Sequence, residues 1–162
     1  MTSNDLEKFD KMKTAGNLAA RTLDLITQYI KPGITTSDID KLGYEFIKDH
    51  GGHSAPLFYR GFNKSLCTSL NNVVCHGIPG NKILNEGDIL NVDVTAIVDN
   101  HYGDTSRMFV LGKTSVKAKN LIETTYDAMM RAIKILKPGV KLGDIGYEIQ
   151  SFVEENGFSV VK

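Results

Sequence analysis

The stretch Asn91-Val92-Asp93-Val94-Thr95, followed across a turn by His101-Tyr102-Gly103-Asp104-Thr105-Ser106, puts two carboxylates inside runs that otherwise read as β-strand. Acidic residues are depleted from strands because a pleated, half-buried surface gives their charge nothing to pair with. Ile89 to Val98 and His101 to Leu111 are rich in Val, Ile, Leu, Phe and Tyr, and Asp99-Asn100 between them suits a two-residue hairpin turn that tolerates positive φ. If Val98 faces His101, Asp93 falls opposite Ser106 and Asp104 opposite Thr95, so the carboxylates are diagonal neighbours on one face. Such neighbours lie roughly 7–8 Å apart at the backbone, close enough for their oxygens to converge on one ion or a close pair of ions. Without a cation they repel each other. A bulge at Gly103 would shift the parity and separate the faces. The plain alternative is a solvated outward face, which surface carboxylates commonly occupy. Against it, Val92, Val94, Thr95, Met108 and Phe109 leave little room for an outward polar face that buries nothing near each aspartate.

Outward from the hairpin, 162 residues suffice to bury a core as a single domain, 1–162. Lys and Arg number 19 and Asp and Glu 19, so no net field attracts nucleic acid or an acidic membrane. The polar start Met-Thr-Ser-Asn-Asp and the lack of a long apolar run give no signal peptide or membrane span, and the cytoplasm is the expected location. Two cysteines, Cys67 and Cys75, are too few for a disulfide framework or a structural zinc site and read as free thiols. Read as a strand, Cys75-His76 has its side chains on opposite faces, which argues against a nucleophilic dyad.

A first helix is expected from Ser3-Asn4, with Glu7 placed for a capping box, Leu6, Phe9, Met12, Ala15, Ala19, Leu23, Ile26 and Ile30 inward, and Lys31-Pro32-Gly33 ending it. A second follows a Thr36-Ser37 cap, turns Ile39, Leu42, Phe46 and Ile47 inward, and stops at His50-Gly51, where His50 favours the negative helix end. Thr114-Ser115 opens a third, with Leu121, Thr125, Ala128, Ala132 and Ile135 on one side and Lys137-Pro138-Gly139 closing it. A fourth carries Ile145, Ile149, Phe152 and Val153 and ends at Asn156-Gly157. Residues paired with those 106 positions later repeat: Lys31-Pro32-Gly33 with Lys137-Pro138-Gly139, Asp38-Ile39 with Asp144-Ile145, Phe46-Ile47 with Phe152-Val153, Gly51 with Gly157. Lys-Pro-Gly alone is a common helix terminator, but the set together reads as a duplicated helix-helix-sheet unit, first repeat 1–112 and second repeat 113–162. The second copy is incomplete: the chain stops at Phe158-Ser159-Val160-Val161-Lys162, where its sheet is expected to begin.

Cys75-His76-Gly77-Ile78-Pro79, Gly87-Asp88-Ile89-Leu90-Asn91-Val92-Asp93-Val94-Thr95 and Gly103-Asp104-Thr105-Ser106-Arg107-Met108-Phe109 closely resemble the type I methionine aminopeptidases of the short bacterial kind, along essentially the whole chain. The resemblance implies the α/β (α+β) pita-bread fold of duplicated helix-helix-sheet units, here with the second truncated. It implies a metal-dependent hydrolase, an aminopeptidase that removes the initiator methionine from nascent polypeptides, with their N-terminal Met as its partner and the ribosome as a further one. Two divalent ions of the Co, Mn, Fe, Zn or Ni type are held in the family by two aspartates, one histidine and two glutamates. Asp93 and Asp104 match the aspartates; the other three ligands are expected beyond residue 162. Two carboxylates alone make a poor transition-metal site, so the chain by itself is expected to bind metal weakly and catalyse little. His76 matches a substrate-binding, catalytic histidine that hydrogen-bonds the peptide around the scissile bond. Tyr59, Phe62 and Cys67 match walls of the methionine side-chain pocket, while Pro56 and Phe62 stand where the family more often has Cys and Tyr. His53 and His101 match nothing functional. The alternative class is a non-catalytic pita-bread peptide-binding module; a pure binder has no reason to keep two like charges on one sheet face.

Overall fold

A computed structural model describes residues 3–161, which fall into two compact units divided between Thr114 and Ser115. The first contains α1 (Ser3–Thr27), α2 (Thr36–Asp49), β1 (His53–Ser54), a 3-10 turn (Tyr59–Gly61), β2 (Cys67–Leu70), β3 (Ile89–Val98) and β4 (His101–Val110). The second contains α3 (Val116–Lys134) and α4 (Leu142–Glu155).

Strand β3 is the spine of the sheet. One edge pairs along its whole length with antiparallel β4, and the other takes β2 opposite 90–93 and β1 opposite 96–97. The hairpin has the expected register, Val98 opposite His101, Thr95 opposite Asp104, Asp93 opposite Ser106, with Asp99 and Asn100 both at positive φ in the turn. Pairing runs unbroken through Gly103, so the bulge considered there is absent and both aspartates keep one face. The other face of β3, Leu90, Val92, Val94 and Ala96, is buried in a core with Leu18, Ala19, Leu23 and Ile26 of α1 and Ile39 and Ile47 of α2.

Gly103 sets how closely helix and sheet approach. A Cβ there would lie on the backbone of Ala15 and Gly16, so only glycine lets α1 lie directly on β4. Twelve residues on, Thr27 of α1 meets Arg107 of β4: Nη1 donates to Thr27 Oγ1 at 2.8 Å and Nη2 to Asp24 Oδ1 at 2.9 Å. From Ala15 forward the helix therefore runs over the hairpin, and ahead of it Asp10, Lys13 and Thr14 lie beside Val98 at the hairpin's end. This corrects the inward face expected for the first helix: Leu6, Phe9 and Met12 are half-exposed, and burial on this face begins at Ala15. The capping contact expected at Ser3-Asn4 lies outside the described side chains, and Glu7 pairs instead with Lys11 at 2.7 Å. Leu121 and Thr125, expected inward on α3, are exposed, and Ala128, Ala132 and Val153 form the buried seam of α3 and α4.

Helix α2 starts one residue earlier than expected, with Thr35 as cap. Its hydroxyl accepts from the Asp38 amide at 3.1 Å while Asp38 Oδ2 accepts from the Thr35 amide at 3.0 Å, a capping box. Asp40, buried on α2, accepts the amides of Ser65 at 2.8 Å and Leu66 at 2.9 Å and so pins the approach to β2. Helix α1 ends at Thr27, ahead of Lys31-Pro32-Gly33, because its last turn tightens: Gln28 and Tyr29 donate to Leu25 and Ile26 at 3.0 Å. The two helix pairs share local geometry: φ is 96° at Gly33 and 97° at Gly139, 76° at Gly51 and 77° at Gly157. His50 Nδ1 lies 2.8 Å from the Phe46 carbonyl, and Asn156 Nδ2 lies 2.8 Å from the matching Phe152 carbonyl.

Candidate metal centre

Alternation along the hairpin puts Asn91, Asp93, Thr95 and, from β4, Tyr102, Asp104, Ser106 and Met108 on the sheet face away from the core. Thr95 and Asp104 are directly opposite, and Thr95 Oγ1 donates to Asp104 Oδ1 at 2.8 Å. Asp93, half-buried one pair further along, lies diagonal to Asp104 on the same face. Burial first, and the nearby Asp104 charge second, push Asp93 above the ordinary carboxylate range, while the charge of His76 works the other way. Two carboxylates on one face, near enough for the charge of one to act on the other, make a place that a divalent cation would neutralise, and all-oxygen carboxylate donors suit such an ion. Among the described residues no group of three or more His, Cys, Asp or Glu side chains converges to hold one. The pair thus fits two ligands of a metal centre.

Cys67 of β2 lies opposite Asp93 and joins this face. It is buried, and burial with the charges of Asp93, Cys75 and Asp104 raises its thiol to about 11. Cys67 therefore stays protonated at neutral pH.

Cys75 and His76 do not lie in a strand. Residues 71–80 form an irregular strap along the edge of β2, with the Thr68 amide donating to the Gly77 carbonyl at 2.8 Å and the Gly77 amide to Ser69 Oγ at 3.2 Å. Strand geometry fails here because a Cβ at Gly77 would collide with the Thr68 carbonyl, and because His76 takes φ 54°. A bulky residue held in the left-handed region is strained by about 1–3 kcal/mol, a feature that clusters at functional sites. The strap brings exposed His76 within electrostatic reach of Asp93.

The loop after β1 is anchored beside the aspartates by the Ala55 amide, 2.9 Å from the Thr95 carbonyl. Phe62 is half-buried, whereas Tyr59 is 64% exposed with the Arg60 guanidinium 5.4 Å from its ring centre, so Tyr59 joins no buried wall here. Phe58 and Arg60 flank it at positive φ. His53 is exposed, and His101 Nδ1 lies 2.6 Å from the Asp99 carbonyl at the turn. Sequence reasoning missed Thr95 as the residue that orients Asp104, although the register pairs the two.

Residues 10–162 match metallopeptidase family M24. The chain belongs to that family. It is similar to the methionine aminopeptidase of Rickettsia prowazekii (strain Madrid E), 56% identical over 154 residues, 95% of this chain and 60% of that protein. It is 46% identical over 158 residues to that of Escherichia coli (strain K12), covering 96% of this chain and 60% of the relative. A crystal structure of the Rickettsia prowazekii enzyme superposes with TM-score 0.94 at 55% identity over 96% of this chain and 63% of the other. The chain thus spans about 60% of the length of these relatives. An Xaa-Pro dipeptidase from Bacillus anthracis, 18% identical with TM-score 0.82 over 93% of this chain and 41% of its own, shares the fold alone. The pita-bread fold expected from the sequence is borne out, and membership of M24 implies the use of divalent metal.

Proposed function

We propose that this chain carries the first-half share of the catalytic site of a cytoplasmic methionine aminopeptidase, with Asp93 and Asp104 among the ligands of a dinuclear metal centre. The observation that carries the reading is the pair of diagonal carboxylates on the open face of the hairpin, beside the strap that carries His76. Bound there, divalent ions supply Lewis acidity and lower the pKa of water for attack on a peptide carbonyl. Asp93 and Asp104 hold the charge at the hairpin, and Thr95 fixes the rotation of the Asp104 carboxyl. His76, projected from a strained strap, hydrogen-bonds the peptide at the scissile bond and steadies charge that develops there. Cys67, protonated and buried, with Phe62 from the neighbouring loop, walls the space for a methionine thioether, which soft, adaptable contacts suit, while Tyr59 stands exposed at its rim. The substrate of this reading is the N-terminal Met of a nascent polypeptide. On this reading residues 1–112 are one helix-helix-sheet repeat and residues 113–162 the helical part of an incomplete second copy.

The experiment is hydrolysis of Met-Ala-Ser with Mn²⁺ or Co²⁺ by a chimera in which the remaining length of the Rickettsia prowazekii relative follows Lys162. The chimera is expected to release methionine, and Asp93→Asn, Asp104→Asn and His76→Ala each to lower kcat/KM by at least a hundredfold. A folded chimera whose activity survives Asp93→Asn and Asp104→Asn would refute the assignment.

A further inference from the structure

A cavity of about 240 Å³ lies behind the strap, on the other side of the sheet. Of β2 it is lined by Thr68 and Leu70, which share the face of Val92 and Leu90, and not by Cys67 or Ser69, which share the face of Asp93. A single water needs only about 10–15 Å³ of such space, so the volume exceeds a one-water hole.

Each of its polar lining side chains can donate, and Lys82 can only donate. Thr68 is 4% exposed, and its hydroxyl finds no hydrogen-bond partner among the described residues. Leaving a buried hydroxyl unmatched costs about 1–3 kcal/mol, so such a group marks a place where a partner belongs. The Lys82 ammonium has no carboxylate partner among the described residues, and the Asn72 amide is exposed. The other polar lining residues are spent: Asn71 Nδ2 donates to Asp88 at 2.8 Å and its Oδ1 accepts the Ile89 amide at 3.0 Å, while Thr36 Oγ1 exchanges hydrogen bonds with Gly80. Thr36 begins α2, whose positive end favours an anion. Its amide and that of Ser37 are bound to the carbonyls of Lys82 and Gly80, so side chains alone would contact a ligand. No carboxylate is among the lining residues, and Leu70, Val73 and Ile78 form an apolar wall.

We propose that this cavity binds a small aliphatic carboxylate, its anionic head on Lys82, Asn72 and Thr68 and its short chain against Leu70, Val73 and Ile78. The Thr68 oxygen is enclosed beneath the wall and reaches the ligand by rotation about χ1, exchanging an orphaned hydroxyl for a bonded one. Because Gly77 is part of the same wall, occupancy braces the strap from behind. The site draws on none of the metal ligands and stands whether or not the chain works as a peptidase.

The test is a titration of the 162-residue chain with sodium isovalerate, followed by amide NMR shifts and thermal unfolding, with isovaleramide and inorganic phosphate as parallel probes. Isovalerate is expected to shift the amides of Thr68, Asn72, Gly77 and Lys82 saturably and to raise Tm, and the neutral amide and phosphate to bind at least tenfold more weakly. Lys82→Met removes an exposed charge and is expected to weaken isovalerate at least tenfold with unchanged folding. Thr68→Val is expected to weaken it severalfold while leaving the ligand-free Tm equal or higher. Equal binding of isovaleramide, equal binding of phosphate, no saturable shift, or shifts that survive both substitutions would each overturn the proposal. A lowered ligand-free Tm in Thr68→Val would do so too, since it would mean that a fixed water already satisfies the hydroxyl.

Discussion

Replacing Gly103 with alanine is expected to be among the most damaging single-methyl changes available to this fold. The added Cβ would fall on the Ala15 carbonyl and the Gly16 amide nitrogen, which are backbone atoms of α1 and have no rotamer to escape into. To restore ordinary contact the helix must back away by about 1 Å or more, and that gap would open along Leu18, Ala19, Leu23 and Ile26, all packed on the sheet. Overpacking typically costs about 1–3 kcal/mol when side chains can yield, so a backbone collision belongs at the top of that range, ~3 kcal/mol. In urea, with a slope of roughly 1–2 kcal/mol per molar for a unit of this size, the midpoint should fall by about 2 M. Gly16 supplies the control. Although its nitrogen is one of the atoms struck, a Cβ on Gly16 itself meets nothing within 4 Å. Gly16→Ala should therefore raise stability by about 0.8–1 kcal/mol, the propensity difference inside a helix. Two touching glycines should thus respond with opposite signs. A Gly103→Ala midpoint within about 0.3 M of wild type, or a Gly16→Ala loss comparable to that of Gly103→Ala, would show that the helix does not lie on β4 as described.

Asp40→Ala, which strips the acceptor from the Ser65 and Leu66 amides, should cost ~3 kcal/mol, and Asp40→Asn at most about half of that; equal urea midpoints for Asp40→Ala and wild type would sink the anchoring role. Burial holds the Asp40 carboxyl above its ordinary 3.8, so the folded state favours the neutral form. Its contribution is therefore full below that value and lost as pH rises through the folded value. Wild type should accordingly lose stability relative to Asp40→Asn as pH rises from about 3.8 through the folded value, and a gain over that rise would contradict the cause assigned. Iodoacetamide at pH 8 should label exposed Cys75 rapidly and buried Cys67, with its thiol at about 11, far more slowly, as peptide mass spectrometry would read; equal rates would contradict the placement of β2.

Where local rules and packing agreed, the sequence was legible in detail. Asp99-Asn100 has the turn chemistry of a two-residue hairpin, and one turn of known length sets every pair in a regular ladder, which is why the Asp93 and Asp104 register could be counted from residues alone. Helical periodicity was misleading at Leu6, Phe9 and Met12, because a pattern states which face is apolar and not where along the helix burial begins. The strap was illegible for a related reason. Val73-Val74-Cys75 has strand composition, but whether it pairs depends on the approach of Gly77 to Thr68, a tertiary contact with no local signature beyond the glycine itself. Thr95 was visible only as the partner that the register assigns to Asp104, and its hydrogen bond to that carboxyl required side-chain geometry.

The central claim is that Asp93 and Asp104 are metal-holding carboxylates, and Mn²⁺ binding followed by electron paramagnetic resonance tests it without requiring turnover. The 162-residue chain should bind Mn²⁺ weakly but saturably at neutral pH, with Asp93→Asn and Asp104→Asn each abolishing the bound signal and Thr95→Val weakening it by loosening Asp104. Mn²⁺ binding that is unchanged in both aspartate variants would place the metal elsewhere and contradict the account.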